Sequence, residues 1–514
     1  MPAKEFVVGV DIGTMGSKGV LVDSEGSICG EHFVAHDINV IKPGWVEQDP
    51  ELCYWRDFKE IVQYLMKTTR ISSQDIAGVG VSGLFPDVVA IDRSGQPVRP
   101  CITYMDRRAG KECDWVRENI GAEKVFQVSG NTVDPYFAGN KILWYMHNEP
   151  ANYAKTWKIL NADKYVIMKL AGEAVIDHSI GPLFSPLFDY RKKSWSEEMC
   201  QATDVDVEKL PKAYASHQKI GEITPEAERE TGLAKGTPVI AGGGDAIQSL
   251  LSVGGLDDGE SCFMYGTTGC WVIVQDEPKF DPRLINTCYT VPGKYVSFGG
   301  MITTGALVKW FRDQFGQVEK QVGESLDVSP YRILDLQAEK VPAGCDGLVV
   351  LPYFMGERTP IWEPSARGMI FGLTLYHTRA HIYRALLEAS GYGLKQHMEV
   401  AKSAGIKVKN MTAVDGGARS RIWRQIISDI TDFPQLYAAR AAGAPFGDAF
   451  LAGVSVGVFR SFEQIKTVSE VKEEVIPNKA LHEVYARLYH VYLQLYPHTR
   501  EEAREIHSIS SKVC

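Results

Sequence analysis

The sequence predicts an α/β fold built from two similar halves, and three observations carry that reading. An apolar run at 6–10 enters a Gly/Thr turn at 11–17 and leaves as the alternating run Gly19-Val20-Leu21-Val22. The same device returns at 260–274, where two strand-like runs flank Gly266-Thr267-Thr268-Gly269. Around these hairpins, strand-like and helix-like segments alternate, the pattern of a sheet covered by helices. A chain of 514 residues is long enough for more than one domain. The segment Leu256-Asp257-Asp258-Gly259 sets the division into 1–255 and 256–514.

Each element has its own signal. Ser24-Glu25-Gly26 reads as a tight turn into a third strand. Leu52, Trp55, Phe58, Ile61, Val62 and Leu65 recur at helical spacing and predict a helix over 50–68. A strand pair is expected at 78–81 and 88–92. A strand running into three glycines is expected at 237–244, with a helix over 246–251. A strand ending at Val414 precedes a helix over 422–430. Near the C-terminus, Tyr485, Tyr489, Tyr492 and Tyr496, with Leu488 and Leu495, make one face of a helix that packs on the core.

Composition excludes several classes. Hydrophobic residues make up 45% and charged residues 23%, an ordinary globular balance that excludes disorder, collagen and a pure coiled coil. A net charge of −9 argues against a non-specific grip on nucleic acid or an anionic membrane, while leaving room for a local basic pocket. No run reaches the roughly 18 apolar residues that span a bilayer. Residues 1–6 lead straight into a strand, so no signal peptide is read. Ten scattered cysteines without a Cys-x-x-Cys pair fit reduced, mostly buried thiols and a cytoplasmic location. His377 and His381 lack the Glu of an HExxH motif and read as a helix start rather than a metal site.

The chemistry-bearing segments are rich in glycine. In Asp11-Ile12-Gly13-Thr14-Met15-Gly16-Ser17-Lys18 a carboxylate ends a strand and a Gly/hydroxyl turn follows. Glycines admit a phosphate to backbone N–H groups, Thr14 and Ser17 add donors, and Lys18 neutralises charge. Asp11 is a carboxylate able to hold Mg²⁺ directly or through water. A plain β-hairpin would look the same. Gly266-Thr267-Thr268-Gly269 repeats the logic, so two turns could grip one phosphate tail from opposite sides. In Gly242-Gly243-Gly244-Asp245-Ala246 the glycines present Asp245 at a strand end, where it serves as a general base or as a helix N-cap. Asp415-Gly416-Gly417-Ala418-Arg419-Ser420 is either a plain turn before a helix or a place for adenine and ribose. Gly78-Val79-Gly80-Val81-Ser82-Gly83 matches G-x-G-x-x-G, but a second strand follows instead of the required helix, and a dinucleotide site is rejected.

Taken in order, these segments resemble the FGGY family of carbohydrate kinases, with xylulokinase-like and glycerol kinase-like features. Gly44-Trp45-Val46-Glu47-Gln48-Asp49-Pro50 is similar to the family's W-x-E-Q-D-P string. The run from Tyr136 to Trp144 nearly fits one signature, with Ala138 as the departure. Gly356-Glu357-Arg358-Thr359-Pro360 is a typical family string, and Gly368 to Glu388 fits a second signature. The resemblance covers nearly the whole chain. It implies two ribonuclease H-like (actin-like) domains flanking a catalytic cleft, ATP and Mg²⁺ as cofactors, and a small sugar or polyol as partner. It implies Asp245 as the base and Asp11 at the metal. Gly13, Thr14, Ser17, Lys18, Gly266, Thr267, Thr268, Gly305, Lys309, Gly416, Gly417, Ala418 and Arg419 would hold the nucleotide. No nucleic acid or membrane partner is expected, and the family's habit sets a homodimer as the expectation.

The substrate-reading positions depart from both templates. Leu84-Phe85-Pro86 and Asp87 stand where xylulokinases carry Gln-Met-His and glycerol kinases Gln-Arg-Glu, and Ala246 replaces a polar residue. Phe85, Pro86, Asp87, Asp106, Tyr136, Asp245 and Ala246 are therefore the expected acceptor contacts. A ketopentose is the leading acceptor, with another polyol, a hexulose or an aldonic acid as alternatives. A nucleotide-dependent sensor on the same scaffold would share the hairpins, and Gly244-Asp245 with the sugar-kinase strings favours the enzyme.

Overall fold

The computed structural model describes residues 5–437, 443–469 and 473–513. The strands Phe6–Ile12, Gly16–Asp23 and Ile28–Ala35 pair antiparallel in sequence order. Ile76–Gly83 then adds parallel to the free edge of Phe6–Ile12, and Pro238–Ile240 and Lys219–Glu222 extend the sheet. The second half repeats the plan. Glu260–Tyr265, Gly269–Gln275 and Tyr295–Met301 pair antiparallel, and Asn410–Val414 adds parallel to Glu260–Tyr265. Gln435–Tyr437, Glu473–Val475 and Ile285–Cys288 complete that sheet. Two ribonuclease H-like α/β domains result.

Valine and isoleucine build the first sheet. Val7, Val8, Val10, Val79 and Val81 are all buried, because the central strands are covered on both faces. Arg56–Thr69 covers one face with Phe58, Ile61, Val62 and Leu65. Leu52 departs from the predicted helix stripe and is exposed. Residues Pro50–Trp55 form a wider π turn capped by Asp49, which shifts the phase of the helix and turns Leu52 to solvent. The expected strand at 88–92 is also corrected. Val89–Ile91 leaves the main sheet and pairs instead with Lys158–Leu160.

A helix from each half crosses to the other. Ala444–Val456 belongs to the second half by sequence but lies on the strands Phe6–Ile12 and Ile76–Gly83. Asp245–Ser252 packs against it and against the strands Glu260–Tyr265 and Gly269–Gln275. The approach is close at Gly9, where a Cβ would come within 2.0 Å of the Pro445 carbonyl oxygen. The C-terminal helix His482–Val513 buries Tyr485, Tyr489, Tyr492 and Leu495 against the second core, as its stripe predicts. Six cysteines are buried free thiols, and Cys514 lies outside the described residues. His381 completes a capping box with Thr378 at the start of Arg379–Ser403. Among the described residues no helix is long and apolar enough to cross a membrane.

Gly9→Ala tests the crossing. The added methyl must push the helix off the sheet, and a loss of about 1–3 kcal/mol in urea unfolding is expected. Wild-type stability would show that the close approach carries no weight.

Candidate active site between the two halves

The site forms where strands from both halves end. Asp11 sits near the end of Phe6–Ile12, and the antiparallel register places Lys18 directly across from it. Ser82, on the neighbouring parallel strand, donates to Asp11 Oδ1 at 3.1 Å. Burial raises the Asp11 carboxyl to about 7; the Ser82 hydrogen bond and Lys18 oppose this, and the Asp415 and Asp163 charges add to it.

The three glycines before Asp245 have distinct work. Gly242 adopts φ +74, and a Cβ there would lie 2.1 Å from the Val81 carbonyl oxygen. Gly243 and Gly244 pair with Ser82 and Gly83, which fixes the loop to the sheet. Lys164 adds a clamp: its fully buried ammonium bonds the Ala241 carbonyl, Asp163 and Asp177. The helix then starts, with Gly244 as its N-cap residue. Asp245 is therefore the first helical residue and not the cap, and its carboxylate accepts from the Ala246 N–H. Burial lifts the Asp245 carboxyl well above the usual range, and the Asp11, Asp87 and Asp415 charges lift it further.

The second hairpin faces the first. Helix Gly305–Phe315 docks on its turn: Gly305 N donates to the Gly266 carbonyl at 2.9 Å, and Ala306 N to that of Thr267 at 3.0 Å. Asp415 follows the strand Asn410–Val414 with φ 73 and ψ 179, a backbone region that only glycine adopts freely. Its carboxyl points between Gly266 and Gly443. Withdrawal from water raises it to about 6, with Lys18 opposing.

One cavity joins these groups. Asp11, Lys18, Asp245, Gly266, Thr268, Asp415, Gly416 and Arg419 contribute its charged and glycine-rich lining. Phe85, Tyr104, Tyr136, Ala246, Cys270, Phe298 and Arg358 line it too, with Phe85 against Phe298 and Arg358 beside Tyr104 and Tyr136. Asp245 stands among both sets.

Several predicted contacts do not reach the cavity. Ser17 is fully buried and donates to Asp57. His36 bridges Asp57 (2.6 Å) and the Gly13 carbonyl (3.0 Å), so this pair supports the first turn from below. Thr14 Oγ1 meets Tyr104 Oη at 3.3 Å. Asp87 is fully buried and accepts from Tyr104 N at 2.7 Å, which makes it a support for Tyr104. Asp106 is fully buried in bonds to Val46 N and to Arg108. Pro86 is buried, and its carbonyl accepts from Lys141. Lys309 is exposed and pairs with Asp313 at 3.2 Å. Ala418 is buried, Gly417 packs beneath Tyr265 and Trp423, and Gly305 and Thr267 shape the second turn. Sequence reasoning missed Cys270, Phe298, Arg358 and Asp415 as cavity groups. Asp415 and Arg358 stood inside recognised strings, whereas Cys270 and Phe298 are ordinary strand residues that carry no signal.

Comparison with known proteins shows the family. Residues 6–252 match the N-terminal domain of the FGGY family of carbohydrate kinases, and residues 262–456 match its C-terminal domain. The chain is 29% identical to a gluconokinase from Bacillus subtilis, over 90% of this chain and 89% of that one. It is also 29% identical to a xylulose kinase from Lactococcus lactis, over 98% of each. The crystal structure of xylulose kinase from Rhodospirillum rubrum superposes with a TM-score of 0.86 at 31% identity, covering 97% of this chain and 99% of that chain. The chain belongs to the FGGY family of carbohydrate kinases, ATP-dependent enzymes that phosphorylate an alcohol group of a sugar.

Proposed function

We propose that this cleft phosphorylates a ketopentose, with Asp245 as the general base. The position of Asp245 carries the reading. It is the carboxylate that lines the cavity between an aromatic acceptor end and a glycine-lined phosphate end. As the acceptor oxygen bonds the γ-phosphorus of ATP, its proton passes to Asp245, and the bond from γ-phosphorus to the β,γ-bridging oxygen breaks to release ADP. Lys18 and the N–H groups of the two turns would neutralise and align the phosphates. In this reading 1–255 carries the base and most of the acceptor site, and 256–514 most of the nucleotide site, with each half adding groups to the other's end of the cavity. The buried free thiols fit a cytoplasmic enzyme.

The donor set suits a hard divalent cation. Asp11 and Asp415 face the cavity as oxygen ligands, and Lys18 is the cation that opposes both. They would hold Mg²⁺, directly or through water. When bound, Mg²⁺ supplies charge neutralisation on the phosphates.

Four outcomes test the assignment. Asp245→Asn should lower transfer by about 10²-fold or more while ATP still binds, read as ADP release and nucleotide titration. Because the base must be ionised and burial holds its carboxyl above the ordinary carboxylate range, wild-type transfer should climb with pH above that range. Turnover retained in the variant would overturn the role. Thr267→Val should raise the KM for ATP about threefold or more with little change for the acceptor; a defect confined to the acceptor would remove the second turn from the nucleotide site. Asp11 keeps a proton in the fold between its ordinary 3.8 and about 7, where the unfolded chain has lost it. Ligand-free stability therefore falls as pH rises across that window. Asp11→Asn should raise the thermal midpoint at pH 8 by about 2 °C or more. That gain should vanish in acid, below the unfolded value, and a destabilised variant at pH 8 would contradict the crowding.

A further inference from the structure

The C-terminal helix His482–Val513 meets a loop that reaches the cavity wall. Its residues Tyr492, Tyr496, Arg500, Arg504 and His507 recur at i, i+4 and i+3 spacing, which sets them in one row along the helix. The row touches the segment 353–367 from root to root. The Tyr492 hydroxyl lies 3.1 Å from that of Tyr353, and the Tyr496 ring lies 5.5 Å from the Tyr353 ring. Arg504 donates to Glu363 Oε2 at 2.8 and 3.2 Å, and Arg500 approaches the same oxygen at 3.6 Å. Arg367 donates to His507 Nδ1. The match to the family's C-terminal domain ends at residue 456, so the whole row lies beyond it.

Glu357 and Glu363 exchange both backbone hydrogen bonds, at 3.0 and 2.9 Å, and so pinch 357–363 into a narrow loop. On one side of the pinch, Arg358 lines the cavity. On the other, Trp362 reaches the first half, with its ring 5.7 Å from that of Phe137 and 6.4 Å from that of Tyr136. Trp362 holds φ at +49, a left-handed conformation that is an outlier for a bulky residue. Such a conformation persists only where the surrounding structure imposes it. Glu363, the next residue, ties the loop to that surrounding structure. Its Oε1 accepts from Ser365 N and Oγ, at 3.3 and 2.6 Å, while Oε2 faces the two arginines.

We propose that Arg504, assisted by Arg500, is a positioning residue for the phosphoryl acceptor. Through Glu363 the C-terminal helix keeps 357–363 pinched, and the pinched loop holds Trp362 and Arg358 at the acceptor wall. This rests on the acceptor site proposed above and adds a control element that touches neither substrate. With the tether loosened, the acceptor must order the loop as it binds, and its affinity falls by that cost. The Glu363 side chain is 13% exposed, while those of Arg504 and Arg500 are 41% and 50% exposed. The pair is therefore open to screening by salt, and even an uncharged acceptor should bind more weakly as ionic strength rises.

The test uses the full chain, Mg-ATP and D-xylulose, with Arg504→Gln, the double variant Arg500→Gln/Arg504→Gln, and Arg504→Lys. Arg504→Gln should raise the KM for xylulose about threefold, and the double variant more, with the KM for ATP and kcat unchanged. Arg504→Lys should restore part of the difference. Added sodium chloride should raise the xylulose KM of the wild type and leave that of the double variant flat. Hydrogen exchange on the ligand-free chain reads the tether without catalysis. The Glu357 and Glu363 amides should exchange about threefold faster in Arg504→Gln, with those of 266–269 unchanged. Unchanged exchange at Glu357 and Glu363 would remove the tether whatever the kinetics. Faster exchange with both KM values raised alike, or neither raised, would leave a purely structural contact and end the positioning role. Wild-type protein that transfers nothing to xylulose would remove the ketopentose reading and the acceptor role resting on it, while the exchange result still decides the tether.

Discussion

Two parallel strand pairings hold the cleft in place: Phe6–Ile12 beside Ile76–Gly83, and Glu260–Tyr265 beside Asn410–Val414. Each aligns the carboxyl ends of its strands at one level, where open α/β sheets bind ligands. Asp11 lies near such an end, Asp415 follows one, and Asp245 follows the short pairing of Gly243–Gly244 with Ser82 and Gly83. A slip of one residue would turn Asp11 to the opposite face of the sheet. What prevents the slip is apolar. Each fully buried valine among Val7, Val10, Val79 and Val81 is worth about 1.5–3 kcal/mol. Two carboxylates about 4 Å apart repel by about 4 kcal/mol at an effective dielectric of about 20. The sheet therefore forces together charges that would otherwise separate.

The fold relieves that crowding with protons and cations rather than distance. Ser82 Oγ lies 3.1 Å from Asp11 Oδ1 and 2.6 Å from Asp448 Oδ2. One hydroxyl proton serves one acceptor, so the other carboxyl must carry its own proton to complete the chain. Asp448 is fully buried and raised well above the ordinary range, chiefly by burial, which makes it the protonated member. Lys164 plays the complementary part between Asp163 and Asp177, holding the Ala241 carbonyl with its remaining donor. Stability is given up at Asp11, Asp245 and Asp415 as pH rises and these buried carboxyls lose their protons, a familiar trade at active sites.

The sequence was most legible where one residue type has one structural use. Glycine turns after apolar runs revealed both hairpins and the loop before Asp245. The tyrosine stripe at the C-terminus revealed its helix. Legibility failed where a side chain has two plausible partners. Asp87, Asp106 and Ser17 stand in motif positions, yet Tyr104 N, Arg108 and Asp57 claim them. No local pattern reports such distant partners. Leu52 was misplaced because a π turn breaks the 3.6-residue period that the prediction relied on. Cys270 and Phe298 were invisible for a further reason. A strand that lines a cavity keeps the same apolar residues as one that lines a core.

The acceptor end is assembled from both halves of the chain. Phe85, Tyr104, Tyr136 and Asp245 come from the first half, and Cys270, Phe298 and Arg358 from the second. A molecule that fills this end must touch both, so its binding energy is available to hold the halves together. The crossed helices Asp245–Ser252 and Ala444–Val456 already join the two halves, and Asp245 is the first residue of one of them. An acceptor that touches only one half would bind without drawing the halves together or excluding water from the phosphates. An acceptor's reach is then read as the ability to close the cleft, and selectivity falls mainly on the transfer step rather than on binding.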